Sequence, residues 1–105
     1  MFELVSRPTL PGELLWEEFM KPNALSIRAL ANHIDVSYSR IKEIIKGRRA
    51  ITIDTAFRLA AYFNTTPEFW INAQNAVDMF DMLQNHQIDY QKIRTEHCFP
   101  EMALV

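Results

Sequence analysis

The sequence predicts an all-α fold of five helices, the fifth long and followed by a short C-terminal extension. Three observations carry this. Apolar residues recur at helical spacing: Ile27, Leu30, Ala31 and Ile34, then Ile41, Ile44 and Ile45, then Phe69, Ala73, Ala76, Phe80 and Leu83. Good N-capping residues, Ser26, Ser37 and Thr66, stand in front of these runs. Residues that tolerate a positive φ, Asp35, Gly47 and Asn64, stand behind them. The chain has 105 residues, which sets one domain, residues 1–105, as the expectation. A hydrophobic content of 49% supplies a core and, with 11% aromatic residues, argues against disorder.

In chain order, residues 1–10 contain Pro8 and no helical period, and read as an extended arm. Such an arm either grips a partner or docks loosely as a terminus. The first helix should start at Pro11, a favoured first position. It turns Leu14, Leu15 and Phe19 inward, sets Glu13, Glu17 and Glu18 on its first turns and solvent side, and ends at Pro22. Trp16 is either core packing or an aromatic for a partner.

Residues 26–47 then read as a helix, a tight turn and a second helix. Ser26 caps the first of these, Asp35 takes the left-handed turn, Ser37 caps the next helix and Gly47 ends it. His33, beside the turn, reads as a packing or surface residue. With Ile41, Ile44 and Ile45 turned inward, the second helix must carry Tyr38, Ser39, Lys42, Glu43 and Lys46 on its other face. Two short helices joined at an angle, the second one basic, match the helix-turn-helix that enters the major groove of DNA.

A fourth helix should start near Thr52, bury Ile53, Phe57, Leu59, Ala60 and Phe63, and stop at Asn64. Arg58 on it is a solvated arginine or one that reaches phosphate. The fifth opens with Thr66 as cap, Pro67 at its first position and Glu68 beside the helix dipole, and continues to about residue 84. Its apolar stripe is longer than four small helices can cover. Val77, Phe80 and Leu83 are therefore expected in a homodimer interface, since helices of this kind act on DNA as pairs. In residues 85–105, Ile88, Tyr90 and Ile93 are apolar and Pro100 bars a long helix, so a short extended or helical piece is expected. His86, His97 and Cys98 fit no zinc spacing and lack a fourth ligand, so no metal is expected.

The net charge of −2 does not suit a DNA binder until it is divided along the chain. Residues 26–58 hold seven basic groups (Arg28, Arg40, Lys42, Lys46, Arg48, Arg49 and Arg58) against three acidic ones, a balance of +4. The rest holds four basic groups against ten acidic ones, a balance of −6. A basic patch on an acidic body is the electrostatic footprint that matters for nucleic acid. Only Gly12 and Gly47 occur, so a Gly-rich phosphate loop is absent and no cofactor is expected. A lone Cys98 and the lack of any apolar run near 18 residues point to a cytoplasmic protein. No His–carboxylate–nucleophile set sits on a recognisable motif, so an enzyme is not the reading.

Beyond the helix-turn-helix, three blocks occur in order: Pro-Gly-Glu-Leu-Leu-Trp-Glu-Glu-Phe at 11–19, Ser37 to Ile41 with Ile51 to Phe63, and Thr-Pro-Glu-Phe-Trp-Ile-Asn at 66–72. Over roughly residues 7 to 84 the chain resembles the HigA-type antitoxins of bacterial addiction modules, within the phage-repressor-like helix-turn-helix (XRE) family. Leu10 stands where that family usually has His, and Asp35 and Asn64 where Gly is usual; both Asp and Asn tolerate such turns. The resemblance implies a DNA-binding antitoxin that represses its own operon as a homodimer on operator DNA and neutralises a HigB-type ribonuclease toxin. It matches Tyr38, Ser39 and Glu43 to base-reading positions. Ser26, Ser37 and Arg40 match phosphate-holding positions, with Lys46 and the loop residues Arg48 and Arg49 joined to them. A carboxylate at 43 either accepts a hydrogen bond from cytosine N4 or pairs with a nearby lysine or arginine in solvent. A solitary repressor without a toxin is the alternative function, and an interaction protein with a decayed DNA face is a third.

Overall fold

The computed structural model describes residues 6–96 and Phe99. α1 (Pro11–Leu14) has Pro11 at its first position, preceded by an extended Leu10. It runs on without interruption as π-helical turns over Leu15–Met20 and a 3₁₀ turn over Lys21–Asn23. Pro22 therefore does not end the helix but sits inside the tightened last turn, where a missing N–H is tolerated. The stop is Ala24, in the left-handed region at φ 53°. Asn23 donates from Nδ2 to the Phe19 carbonyl at 2.7 Å and satisfies one of the open acceptors there. Both ends of the π-helical segment, Leu15 and Met20, are wholly buried.

α2 (Ile27–Ile34) and α3 (Tyr38–Ile45) form the helix-turn-helix. The Ser26 hydroxyl accepts from the Ala29 N–H at 3.0 Å, and Ser37 accepts from Arg40 N–H at 3.1 Å. Asp35 closes α2 in the left-handed conformation, φ 59°. α4 (Ile53–Phe63) is capped by Thr52 and closed by left-handed Asn64, φ 60°. α5 (Pro67–Glu96) carries Thr66 before it, accepting from Phe69 N–H at 3.2 Å.

One cluster unites the head. Leu15, Met20, Leu30, Ile34, Ile41, Ile44, Ile51, Ala56, Leu59 and Trp70 are buried together. Trp70 is fully enclosed and its indole N–H donates to Thr65 Oγ1 at 2.9 Å, so its polar edge is satisfied. Phe19, Phe63 and Phe69 surround it with ring centroids 5.0 to 6.4 Å away. Burial departs from expectation on α4. Thr55, Ala56, Leu59 and Ala60 face inward, while Ile53 and Phe57 are 65% and 57% exposed. Ile53 and Phe57, four residues apart, share a stripe about a quarter turn from the centre of the buried face.

α5 is non-helical at His86 (φ −131°, ψ 15°) and resumes to Glu96, so of the short extended or helical piece expected beyond residue 84 the helical form is present over residues 87–96. Only its first part packs on the head, through Trp70 and Val77. Val77 is 2% exposed inside the protomer, so it is not open to a second chain as expected. The radius of gyration, 17.6 Å, exceeds the ~13 Å of a round domain of this size because the distal helix projects.

α1 crosses the C-terminal end of α3 without a side chain between the backbones. A Cβ on Gly12 would fall on the Ile44 carbonyl and within 2.8 Å of the Ile45 Cα. At the arm, Arg7 donates from Nε and Nη2 to the two carboxylate oxygens of Asp81, at 3.0 and 2.7 Å. These hydrogen bonds, with the charge of Arg7 adding to them, hold the Asp81 carboxyl below the usual carboxylate range and raise Arg7.

Two outcomes are expected. Gly12→Ala should lower stability by ~1–3 kcal/mol or more, because helix backbone cannot yield as a side chain does; urea unfolding would measure it, and a change under ~0.5 kcal/mol would contradict the contact. For the Arg7–Asp81 clamp, the folded carboxyl titrates below its unfolded value, so its contribution is present above about pH 4 and is lost as pH falls through the depressed folded value. Backbone order at residues 7, 9 and 10, read by NMR relaxation, should fall in that acid window. Asp81→Asn should show the loosened arm already at neutral pH; equal order in both proteins would exclude a role for the clamp.

Candidate nucleic-acid interface

The exposed face of α3 is set by what the other face buries. Ile41 and Ile44 are in the core and Ile45 is half-buried, so Tyr38, Ser39, Lys42 and Lys46 stand in solvent and Glu43 beside them is half-exposed. Tyr38 is steadied from α2, where the Arg28 guanidinium lies 5.1 Å from its ring centroid, a cation–π contact. Ser26 and Ser37 use a lone pair to accept the capping N–H, and each hydroxyl keeps its proton to donate outward. Both mark helix N-termini, where the backbone dipole favours an anion. Arg40 is half-buried and shares a surface cleft with Asp35, Ser37, Asp54 and Arg58.

Beyond α3 the chain turns through a complete Schellman motif. Gly47, at φ 77°, donates to the Ile44 carbonyl at 3.0 Å, and Arg48 N–H donates to the Glu43 carbonyl at 2.9 Å. The direction in which Arg48 and Arg49 leave the helix is thus fixed by backbone hydrogen bonds. Arg48 is exposed in this loop. Arg49 folds back onto α3, where its Nε donates to Glu43 Oε1 at 3.1 Å and its Nη2 lies 3.0 Å from the same oxygen in an ion pair. Glu43 thus has a cationic neighbour, and that neighbour is a residue matched to phosphate holding.

Two supports were not legible as such. Arg58 donates from Nη1 to the Ile34 carbonyl at 2.9 Å and from Nε to Asp54 at 2.8 Å. It ties the end of α2 to α4 and so is neither a purely solvated arginine nor free for phosphate. The Asp54–Arg58 spacing of four was the available signal. Gln74 on α5 accepts from the Ile51 N–H at 2.9 Å and donates to Asp78 at 3.0 Å, pinning the loop after Arg49. No sequence pattern marks it. His33, on α2, bonds the Tyr62 hydroxyl at 2.8 Å, which makes it a packing residue.

On α5, Phe80 is half-buried, and Leu83, Met79 and Met82 are exposed, while Val77 faces the cleft beside Pro11 and Gly12. His86 pairs with Asp89; His97 and Cys98 lie outside the described residues. Among the described residues no helix is long and apolar enough to cross a membrane.

The Helix-turn-helix family model matches residues 17–70. Antitoxin HigA-1 of Vibrio cholerae is 38% identical over 81 residues, which span 77% of this chain and 76% of that protein. A solved addiction module antidote protein of the HigA family from Coxiella burnetii has 42% identity and a TM-score of 0.76, over 91% of this chain and 100% of that one. The antitoxin HigA of Pseudomonas aeruginosa, solved with the higBA promoter, has 33% identity and a TM-score of 0.76, over 93% of this chain and 100% of that one.

Proposed function

The chain belongs to the helix-turn-helix family, in its HigA-type antitoxin branch, and we propose from that membership that it is an antitoxin and autorepressor working in the cytoplasm. It binds operator DNA as a homodimer and neutralises a HigB-type ribonuclease toxin. The observation that carries the DNA-binding part is the joined surface of α3 and its Schellman turn, which presents Tyr38, Ser39, Lys46 and Arg48 from one rigid frame. A relative at 33% identity is solved with promoter DNA, and relatives at 38% and 42% are antitoxins or antidote proteins by name.

In this reading Tyr38 and Ser39 meet base edges at the helix N-terminus, as recognition helices do. Ser26, Ser37, Arg40, Lys46 and Arg48 hold phosphates and set the register without reading sequence. The homodimer uses the α5 surface of half-buried Phe80 and exposed Leu83, with exposed Met79 and Met82 beside them. Toxin binding draws on the family alone, and the acidic remainder of the chain suits a basic partner that is itself built to hold RNA.

Arg48→Ala should weaken binding to every duplex and lower the slope of log K against log salt by about one unit. A loss confined to one base pair would remove Arg48 from phosphate. Leu83→Lys, at an exposed position that the core does not need, should halve the mass measured by light scattering, and so should Phe80→Lys; an unchanged mass in both would exclude this dimer face. Co-purification with the product of the neighbouring gene tests the toxin, and a chain that binds DNA but captures no such product would be a solitary repressor.

A further inference from the structure

We propose that Arg49 is a base-reading residue for guanine and that Glu43 is the positioning residue that presents it. This rests on the operator-binding reading above and changes the division of labour within it. Arg49 follows a helix, and a loop arginine with a free side chain would sample many directions. Here the Schellman hydrogen bonds at Gly47 and Arg48 fix the backbone two residues before it, and the bond from Ile51 N–H to Gln74 fixes the backbone two residues after it. The guanidinium is then drawn back one turn along α3, onto the face that Tyr38, Ser39 and Lys46 share.

The geometry of the pair decides what remains available. Glu43 Oε1 accepts the N–H of Arg49 Nε and lies in ion-pair contact with Nη2, so the carboxylate occupies one edge of the planar fork. The end of the fork, with one N–H on each Nη, is left open. Two parallel donors at that spacing match the O6 and N7 acceptors of guanine in the major groove. A single exposed ion pair contributes little stability in water, so the pair has no strong structural purpose of its own. What it does accomplish is to order a long side chain before DNA arrives, which removes part of the entropy cost of binding. A carboxylate facing a polyanion, costly by itself, is offset when it holds a cation in the groove.

The test uses a duplex selected from a random-sequence library by the full-length protein, and every single-base variant of that duplex. Arg49→Lys keeps the charge and removes the fork. It should lose discrimination at one G·C pair by roughly 5- to 150-fold, the range of a bidentate contact, with the salt slope unchanged. Glu43→Gln should lose part of the discrimination at the same pair, and the double variant should be no worse there than Arg49→Lys. Discrimination lost at different pairs, or losses that add, would mean that Glu43 reads a base independently and would overturn the proposal. Uniform shifts across all duplexes would mean a solvated pair and would also overturn it. Selection that yields no preferred duplex for the unmodified protein would remove the operator-binding reading itself, an outcome distinguishable from the others.

Discussion

The contact between Gly12 and the last turn of α3 constrains everything built around it. Two backbones meet there with no room for a Cβ. Because α1 enters at that point, Leu10 lies under Gly47 and the Schellman turn is packed from below as well as hydrogen-bonded. α5 closes the same region through Val77 and Gln74. The loop carrying Arg48 and Arg49 is therefore held from three sides, by α1, by α3 and by α5. Rigid presentation of a recognition surface is what lets hydrogen-bond geometry discriminate bases, so a glycine with no chemistry of its own stands behind the chemistry of the loop.

Stability and presentation come from different sources in this chain. The buried cluster around Trp70, Leu15 and Met20 supplies the free energy, since full burial of a large apolar side chain is worth ~1.5–3 kcal/mol. The surface pairs Arg7–Asp81, Arg49–Glu43 and Arg58–Asp54 are each half-open to water and contribute little to folding. Each nevertheless orients a segment: the arm, the loop arginine, and the junction of α2 with α4. The +4 motif can thus be tuned for DNA without disturbing the core beneath it.

What was legible in the sequence is what local chemistry decides. Ser26, Ser37 and Thr66 cap because their side chains reach an N–H three residues on. Asp35, Gly47 and Asn64 turn left-handed because they tolerate it. Ala24 does the same at φ 53° with no compositional mark, and the proline two residues earlier drew the helix end to the wrong place. Ile53, Phe57 and Val77 were misassigned because periodicity gives a face but not which neighbour covers it. The break at His86 carries neither Pro nor Gly. Among the expected interface residues, the positions on α3 followed from its buried face, whereas the return of Arg49 to Glu43 depends on a loop path that only the whole fold defines.

The projecting end of α5 ties folding to assembly. After His86 the helix has only about three turns, and residues 82–96 are all exposed. A segment of that length is marginal in water by itself, because nucleation is costly and few hydrogen bonds follow it. Its composition makes the isolated state worse: Met79, Met82, Leu83, Ile88, Tyr90 and Ile93 are large apolar side chains left outside the core. Large exposed apolar side chains in this number mark a surface that another chain can cover. If that chain is a second copy, burial of the arm supplies the free energy that orders it, and the stability of the whole depends on protomer concentration. The same coupling would hold the two recognition surfaces at one fixed separation, which a palindromic operator with half-sites ~34 Å apart requires.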